Sequence, residues 1–185
     1  MNNEKLFNGY DKVKWGYTID EVKSIYPELI EIKDENDLPG IRIIAYENLL
    51  NKNNYLEGKY FKFFNNKLGL VSLFFYPPYG ANEFEPELEK YLVNSLIEKY
   101  GHPNILDENQ IVQNNDGTYC STLILGINIS PEMSIIINDI HTFDESTKEK
   151  IGHNMIYEYM NPKLITDFNE NNVNSKYNII LWKKP

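Results

Sequence analysis

The chain has 185 residues, a formal net charge of -9, and 42% hydrophobic and 14% aromatic residues. This is enough apolar material for one packed domain and too much for a disordered chain. An acidic surface repels phosphate, and the nearest basic pair, Lys12 and Lys14, is sparse, so no nucleic-acid or anionic-membrane partner is expected.

The single cysteine, Cys120, excludes an intrachain disulfide and a cysteine zinc cluster, which suits a reducing compartment. No window approaches a membrane helix; the most apolar run, Leu68–Tyr79, is short and contains Pro77 and Pro78, so no transmembrane segment is expected. Met1–Lys5 carries no signal-like apolar stretch, which makes a cytoplasmic protein the expectation; export is the alternative if the natural start lies upstream of Met1. The frequent Asn, Ile and Lys read as the coding bias of an AT-rich genome.

Residues 1–14 are polar and read as a loosely ordered lead-in to a single α+β domain over 15–185. Thr18-Ile19-Asp20-Glu21 has the form of a capping box, and Ile19, Val22, Ile25 and Tyr26 share one face of the short helix that Pro27 limits. After the Asp37-Leu38-Pro39-Gly40 turn signal, a strand is predicted at Ile41–Tyr46.

Residues 60–76 predict a hairpin turning at Asn65-Asn66, where two asparagines tolerate positive φ. In that register Phe63 opposes Leu68 and Phe61 opposes Leu70 on a helix-covered face. Tyr60, Phe64, Val71, Leu73 and Phe75 then point to the opposite face, with Lys62 and Lys67 marking its wet turn end.

A second helix is predicted over Glu85–Tyr100, with Pro86 in its first turn, acidic residues at its start and Gly101 just beyond its end. Strands are predicted at Tyr119–Ile127 and Ser134–His141, hinged at Ser130-Pro131-Glu132. Further strands are predicted at Asn154–Tyr159 and Tyr177–Trp182, with a short helix over Asn161–Phe168. The fold class is therefore α+β, an antiparallel sheet with at least two helices on one face. The order helix–strands, helix–strands suggests a degenerate tandem repeat, although both helices ending on tyrosine then proline is also ordinary helix-stop usage.

Trp15-Gly16-Tyr17-Thr18-Ile19-Asp20-Glu21-Val22 resembles the opening of a family of small αβ modules: an aromatic residue, Gly, any residue, Ser/Thr, two residues, Glu/Gln, Val. That family includes the small lipoprotein of the outer-membrane β-barrel assembly machinery and, in tandem, the β-lactamase inhibitory protein. The resemblance covers about residues 15–27. It implies a bacterial protein that binds other proteins and does not catalyse. This chain lacks the lipid-anchor cysteine and the disulfides, and its segment after Pro27 is longer, so architecture carries over and no functional residue does.

Chemical candidates are few. Asp139-x-His141 puts two potential metal ligands on one strand face, with Glu145 nearby, but the spacing offers no third ligand, and solvated strand-end residues account for the pattern. His102 falls in a helix stop, and His153 at the start of a strand. Cys120, inside a strand, reads as a small buried hydrophobe more than as a partner of His141. No phosphate loop, nucleophile elbow or cofactor motif is present, so no catalytic residue, metal ligand or cofactor is assigned.

The aromatic hairpin carries the functional expectation: a non-enzymatic protein-binding module of inhibitor, immunity or assembly-factor type. It would use a sheet face bearing Tyr60, Phe64, Leu73 and Phe75, and its partner would be an unidentified, basic protein. The alternatives are a small apolar or peptide ligand held between sheet and helix, and an enzyme using Asp139, His141 and Cys120.

Overall fold

The computed structural model describes residues 8–32, 38–47, 56–77 and 81–172. A two-stranded hairpin, β1 (Gly9–Tyr10) and β2 (Val13–Lys14), precedes helix α1 (Ile19–Ile25). Strands β3 (Ile30–Ile32), β4 (Ile41–Glu47), β5 (Leu56–Phe64) and β6 (Lys67–Phe75) follow. Helix α2 (Pro86–Tyr100) then leads into β7 (Ile105–Gln113), β8 (Thr118–Ser130), β9 (Met133–Asp144) and β10 (Lys150–Met160), and α3 (Pro162–Asn171) comes last.

The eight longer strands form one antiparallel sheet in the order β3-β4-β5-β6-β10-β9-β8-β7. Each half is thus a helix followed by a four-stranded meander, and the meanders meet along their last strands. The result is an α+β fold, with α1 and α2 packed on the same side.

Local chemistry explains the helix ends. The Thr18 amide donates to Glu21 Oε2 at 2.8 Å and the Glu21 amide to Thr18 Oγ1 at 3.3 Å, which closes the capping box. In α2, Pro86 occupies the first turn, and Gly101 ends the helix at φ 95°, a backbone that side chains rarely adopt. The lead-in expectation needs correcting for residues 9–14. They form the β1–β2 hairpin, Val13 is buried in the main core, and the Gly16 amide bonds the Leu68 carbonyl at 2.8 Å.

The sheet has two unlike faces. On one, Phe61, Phe63, Leu68, Val71, Leu73, Ile135, Ile137, Met155 and Tyr157 pack with Val22 of α1 and Leu96 of α2. On the other, Phe64, Leu70, Ile124, Ile136 and Met160 pack with Ile165 and Phe168 of α3. Among the described residues, that second covering layer occupies one end of its face.

The turn at Asn65-Asn66 has φ 47° and 62°, as the paired asparagines predict, and Phe63 stands opposite Leu68. Beyond that point the predicted register fails, because Lys62 pairs with Leu70 and leaves Gly69 as an extra, bulged residue. Phe61 therefore faces Val71, and Leu70 moves to the α3 face. Val71, Leu73 and Phe75 move to the helix-covered face.

A Cβ at Gly69 would meet Phe64 Cδ2 at 2.7 Å and Leu164 Cδ2 at 3.0 Å, so the bulge requires glycine for α3 to approach. The Gly69 carbonyl also accepts from the Asn161 amide at 2.8 Å, and Asn161 Oδ1 caps α3 by accepting from the Leu164 amide at 2.9 Å.

No local sequence signal marks strand β7. Its polar centre, Asp107-Glu108-Asn109-Gln110, breaks the apolar alternation, and it pairs with β8 through a register shift between Asp107 and Gln110. A polar, irregular strand suits a sheet edge, where one side is not paired. The strand predicted at Tyr177–Trp182 lies outside the described residues.

Candidate functional site

The four aromatic-face candidates do not share a surface. Leu73 is buried in the core beneath α1 and α2, and Phe75 packs there against Tyr157 with ring centroids 4.8 Å apart. Phe64 is on the α3 face but buried, edge-on to Phe168 at 5.3 Å. Tyr60 alone is half-buried on the part of that face that α3 leaves open. Its ring lies over Gly58, where a Cβ would come within 2.8 Å, and meets Phe74 edge-on at 4.8 Å.

Phe74, which the sequence did not single out, thus takes the place of Phe75. Strand alternation adds Ile156 and Ile140, both half-buried, to the same surface.

Glu158 sits in the middle of this face, on β10 at the junction of the two meanders, opposite Ser72 of β6 and Ile136 of β9. Burial pushes its carboxyl above the usual range, and Lys62, Asn138 and Ser72 offset only part of that effect. The bonds are long: 3.4 Å from Asn138 Nδ2 and 3.5 Å from Ser72 Oγ. The side chain retains some accessible area while its carboxylate is hemmed in by neighbours.

On the helix-covered face, the register brings His153 of β10 directly opposite His141 of β9, and Asp139 lies two residues along from His141 on that face. The rings are 4.2 Å apart, centroid to centroid. His153 Nε2 lies 2.6 Å from Asp139 Oδ1, and His141 Nε2 lies 3.4 Å from Asp139 Oδ2. One potential ligand atom from each residue falls within 4.8 Å of the others.

Asp139 and His153 are buried, at 7% and 4% exposure, and Phe84 lies edge-on to His153 at 4.7 Å. Burial alone would raise the Asp139 carboxyl, but the His153 hydrogen bond and both imidazoles outweigh it and hold the group below the usual carboxylate range. Burial pushes His141 below the ordinary imidazole value; His153 and Lys150 act the same way, and Asp139 opposes them.

Asp139-x-His141 therefore acquires the third residue that linear spacing did not reveal. The signal for it was cross-strand: a histidine on the next strand, reachable only once the β9–β10 register is known. Glu145 is not part of the group; it is exposed in the turn after β9 and accepts from Gln113 Nε2 at 3.4 Å. Neither is Cys120. It pairs with Thr142, so its thiol is on the α3 face, 3.6 Å from Thr142 Oγ1, and the proposed Cys120–His141 pair cannot form. His102 is exposed.

Two surface depressions add little specificity. One of about 590 Å³ runs along the outer side of α2 past Lys90, Tyr91 and Glu98. The other, about 620 Å³, lies between the β1–β2 hairpin and the end of α2, where Lys99 joins Lys12 and Lys14 beside Asp11, Tyr10, Tyr100 and Tyr159. Comparison of the sequence with protein-family models and with curated proteins finds no match.

Proposed function

We propose that the protein is a binding module whose partner is a protein presenting a lysine or arginine within an apolar surface. It would dock on the part of the sheet that α3 leaves open. The observation that carries this reading is Glu158, a carboxylate set beside Ser72, Asn138 and Lys62 on the α3 side of the sheet, whose charged form burial disfavours. Phe74 and Ile156 next along this face, with Tyr60 and Ile140 farther out on it, are half-buried rings and branched chains that give contact area at little conformational cost. A cation brought by the partner would complete the partial compensation from Lys62, and the net charge of -9 would favour its approach.

The test is capture from an extract of the source organism, followed by a hydrogen-exchange footprint of the complex. A basic partner that protects β6, β9 and β10, and whose capture is lost with Glu158→Lys and Ile156→Asp but kept with Tyr91→Asp, supports the reading. A footprint elsewhere, or full capture by Glu158→Lys, overturns it.

A further inference from the structure

We propose that Asp139, His141 and His153 form a site for one first-row divalent transition-metal ion of the zinc(II) type. The donor set is two imidazole nitrogens and one carboxylate, which suits zinc, cobalt or nickel and not the all-oxygen shell of calcium or magnesium. No thiolate contributes, since Cys120 is on the opposite face.

One ligand atom from each residue lies within 4.8 Å of the others, so small side-chain rotations would bring all three onto one metal ion. Bonds of roughly 2.1 Å at tetrahedral angles place ligand atoms about 3.4 Å apart. The His141 Nε2–Asp139 Oδ2 separation is already 3.4 Å. The His153 Nε2–Asp139 Oδ1 contact, at 2.6 Å, is a hydrogen bond whose proton the ion would replace, with a small rotation to open it. All three side chains come from two paired central strands, so the backbone that aims them is rigid. The His141 side chain is 25% exposed and that of His153 only 1%, which makes the His141 side the entrance.

A hydrogen-bonded core triad is the rival account. Nδ1 of His141 and Nδ1 of His153 are buried without a hydrogen-bond partner in either account, because the ion would take Nε2 of each ring. The convergence of two imidazole nitrogens and a carboxylate, with access from the His141 side, carries the assignment, and the titration separates the two accounts.

The experiment is titration of the chelator-treated full-length protein with cobalt(II), read by visible absorption, and then displacement with zinc(II). The expected result is a saturable d–d band that zinc abolishes, with affinity reduced at least ~10-fold in His141→Ala and in Asp139→Asn. His102→Ala and Cys120→Ser should bind as the parent does. Circular dichroism of each variant reports folding, and His141→Ala, at the partly open edge of the cluster, keeps the test valid if Asp139→Asn does not fold. Absence of the band, or equal cobalt affinity in the parent and a folded His141→Ala, overturns the assignment. This outcome is independent of partner capture on the opposite face.

Discussion

Cys120 stands directly across from Thr142, one residue past His141, and that single step places the thiol and the imidazole on opposite faces of the sheet. Cys120 is half-buried, with the Thr142 hydroxyl and Asn114 Nδ2 each 3.6 Å from its sulfur. In these polar surroundings a hydroxyl is as acceptable as a thiol. Cys120→Ser and Cys120→Ala should each change stability by no more than about 0.5 kcal/mol in chemical denaturation. A loss of several kcal/mol would place Cys120 in a core it does not occupy.

Phe75 and Tyr60 should respond oppositely to charge. Phe75 packs with Tyr157 under the helices, so Phe75→Glu should destabilise by about 2 kcal/mol or more, seen as a lower denaturation midpoint. Tyr60→Glu, on the open part of the other face, should cost clearly less. Equal effects would mean that the bulge at Gly69 does not set the parity of β6.

Gly69→Ala tests the bulge itself. The added methyl would sit 2.7 Å from Phe64 and 3.0 Å from Leu164, both held between β6 and α3. A loss of about 1–3 kcal/mol is expected, with hydrogen exchange accelerated first in α3. A neutral substitution would show that α3 moves away freely.

Thr18→Ala removes the acceptor for the Glu21 amide and should destabilise by about 1 kcal/mol. The Thr18 amide and hydroxyl hold the Glu21 carboxyl below its usual range. Because that folded-state value is depressed, its contribution is present above the unfolded value and lost as pH falls through the folded one. The Thr18 amide survives in Thr18→Ala, so acid titration followed by helical circular dichroism should weaken the helix in both proteins and leave in place most of the difference between them, which comes from the lost Oγ1 acceptor.

Glu158 has the opposite sign. Burial raises its folded-state value above the unfolded one, so the folded state is favoured by protonation and loses stability as pH rises from about 4.5 through the raised value. Glu158→Gln should raise the melting temperature at pH 7 and leave it nearly unchanged at pH 4. A lower melting temperature at pH 7 would mean that Lys62, Ser72 and Asn138 more than satisfy the charge.

The elements legible in the sequence are those written by local chemistry. Thr18 and Glu21 mark one helix start, Pro86 and Gly101 bracket another, and Asn65-Asn66 marks a turn. What failed was parity and register. One bulged glycine exchanged the faces of Leu70 and Leu73, and no local signal separates Gly69 as a bulge from Gly69 as an ordinary strand residue. The Asp139–His141–His153 group was half legible, because an x-spaced pair is visible along the chain whereas a cross-strand partner appears only after pairing is fixed. Glu158 gave no signal, since a glutamate between two tyrosines reads as the solvent side of an ordinary strand.

The order of the strands also dictates how the chain must assemble. Among the described strands, every pair in the sheet joins neighbours along the sequence except β6 with β10. Each meander can therefore form from local encounters, and one long-range search, typified by Ser72 meeting Glu158 across 86 residues, remains for the end. Closing that seam sets the loop-closure entropy of folding, and with it the expected rate-limiting step. A chain cut between Tyr76 and Pro86 would yield one piece with α1 and β1–β6 and another with α2, β7–β10 and α3, which would recombine along β6 and β10 and where α3 meets β5 and β6. Glu158 sits on that seam, so a ligand that neutralised its carboxylate would also fasten the two halves together.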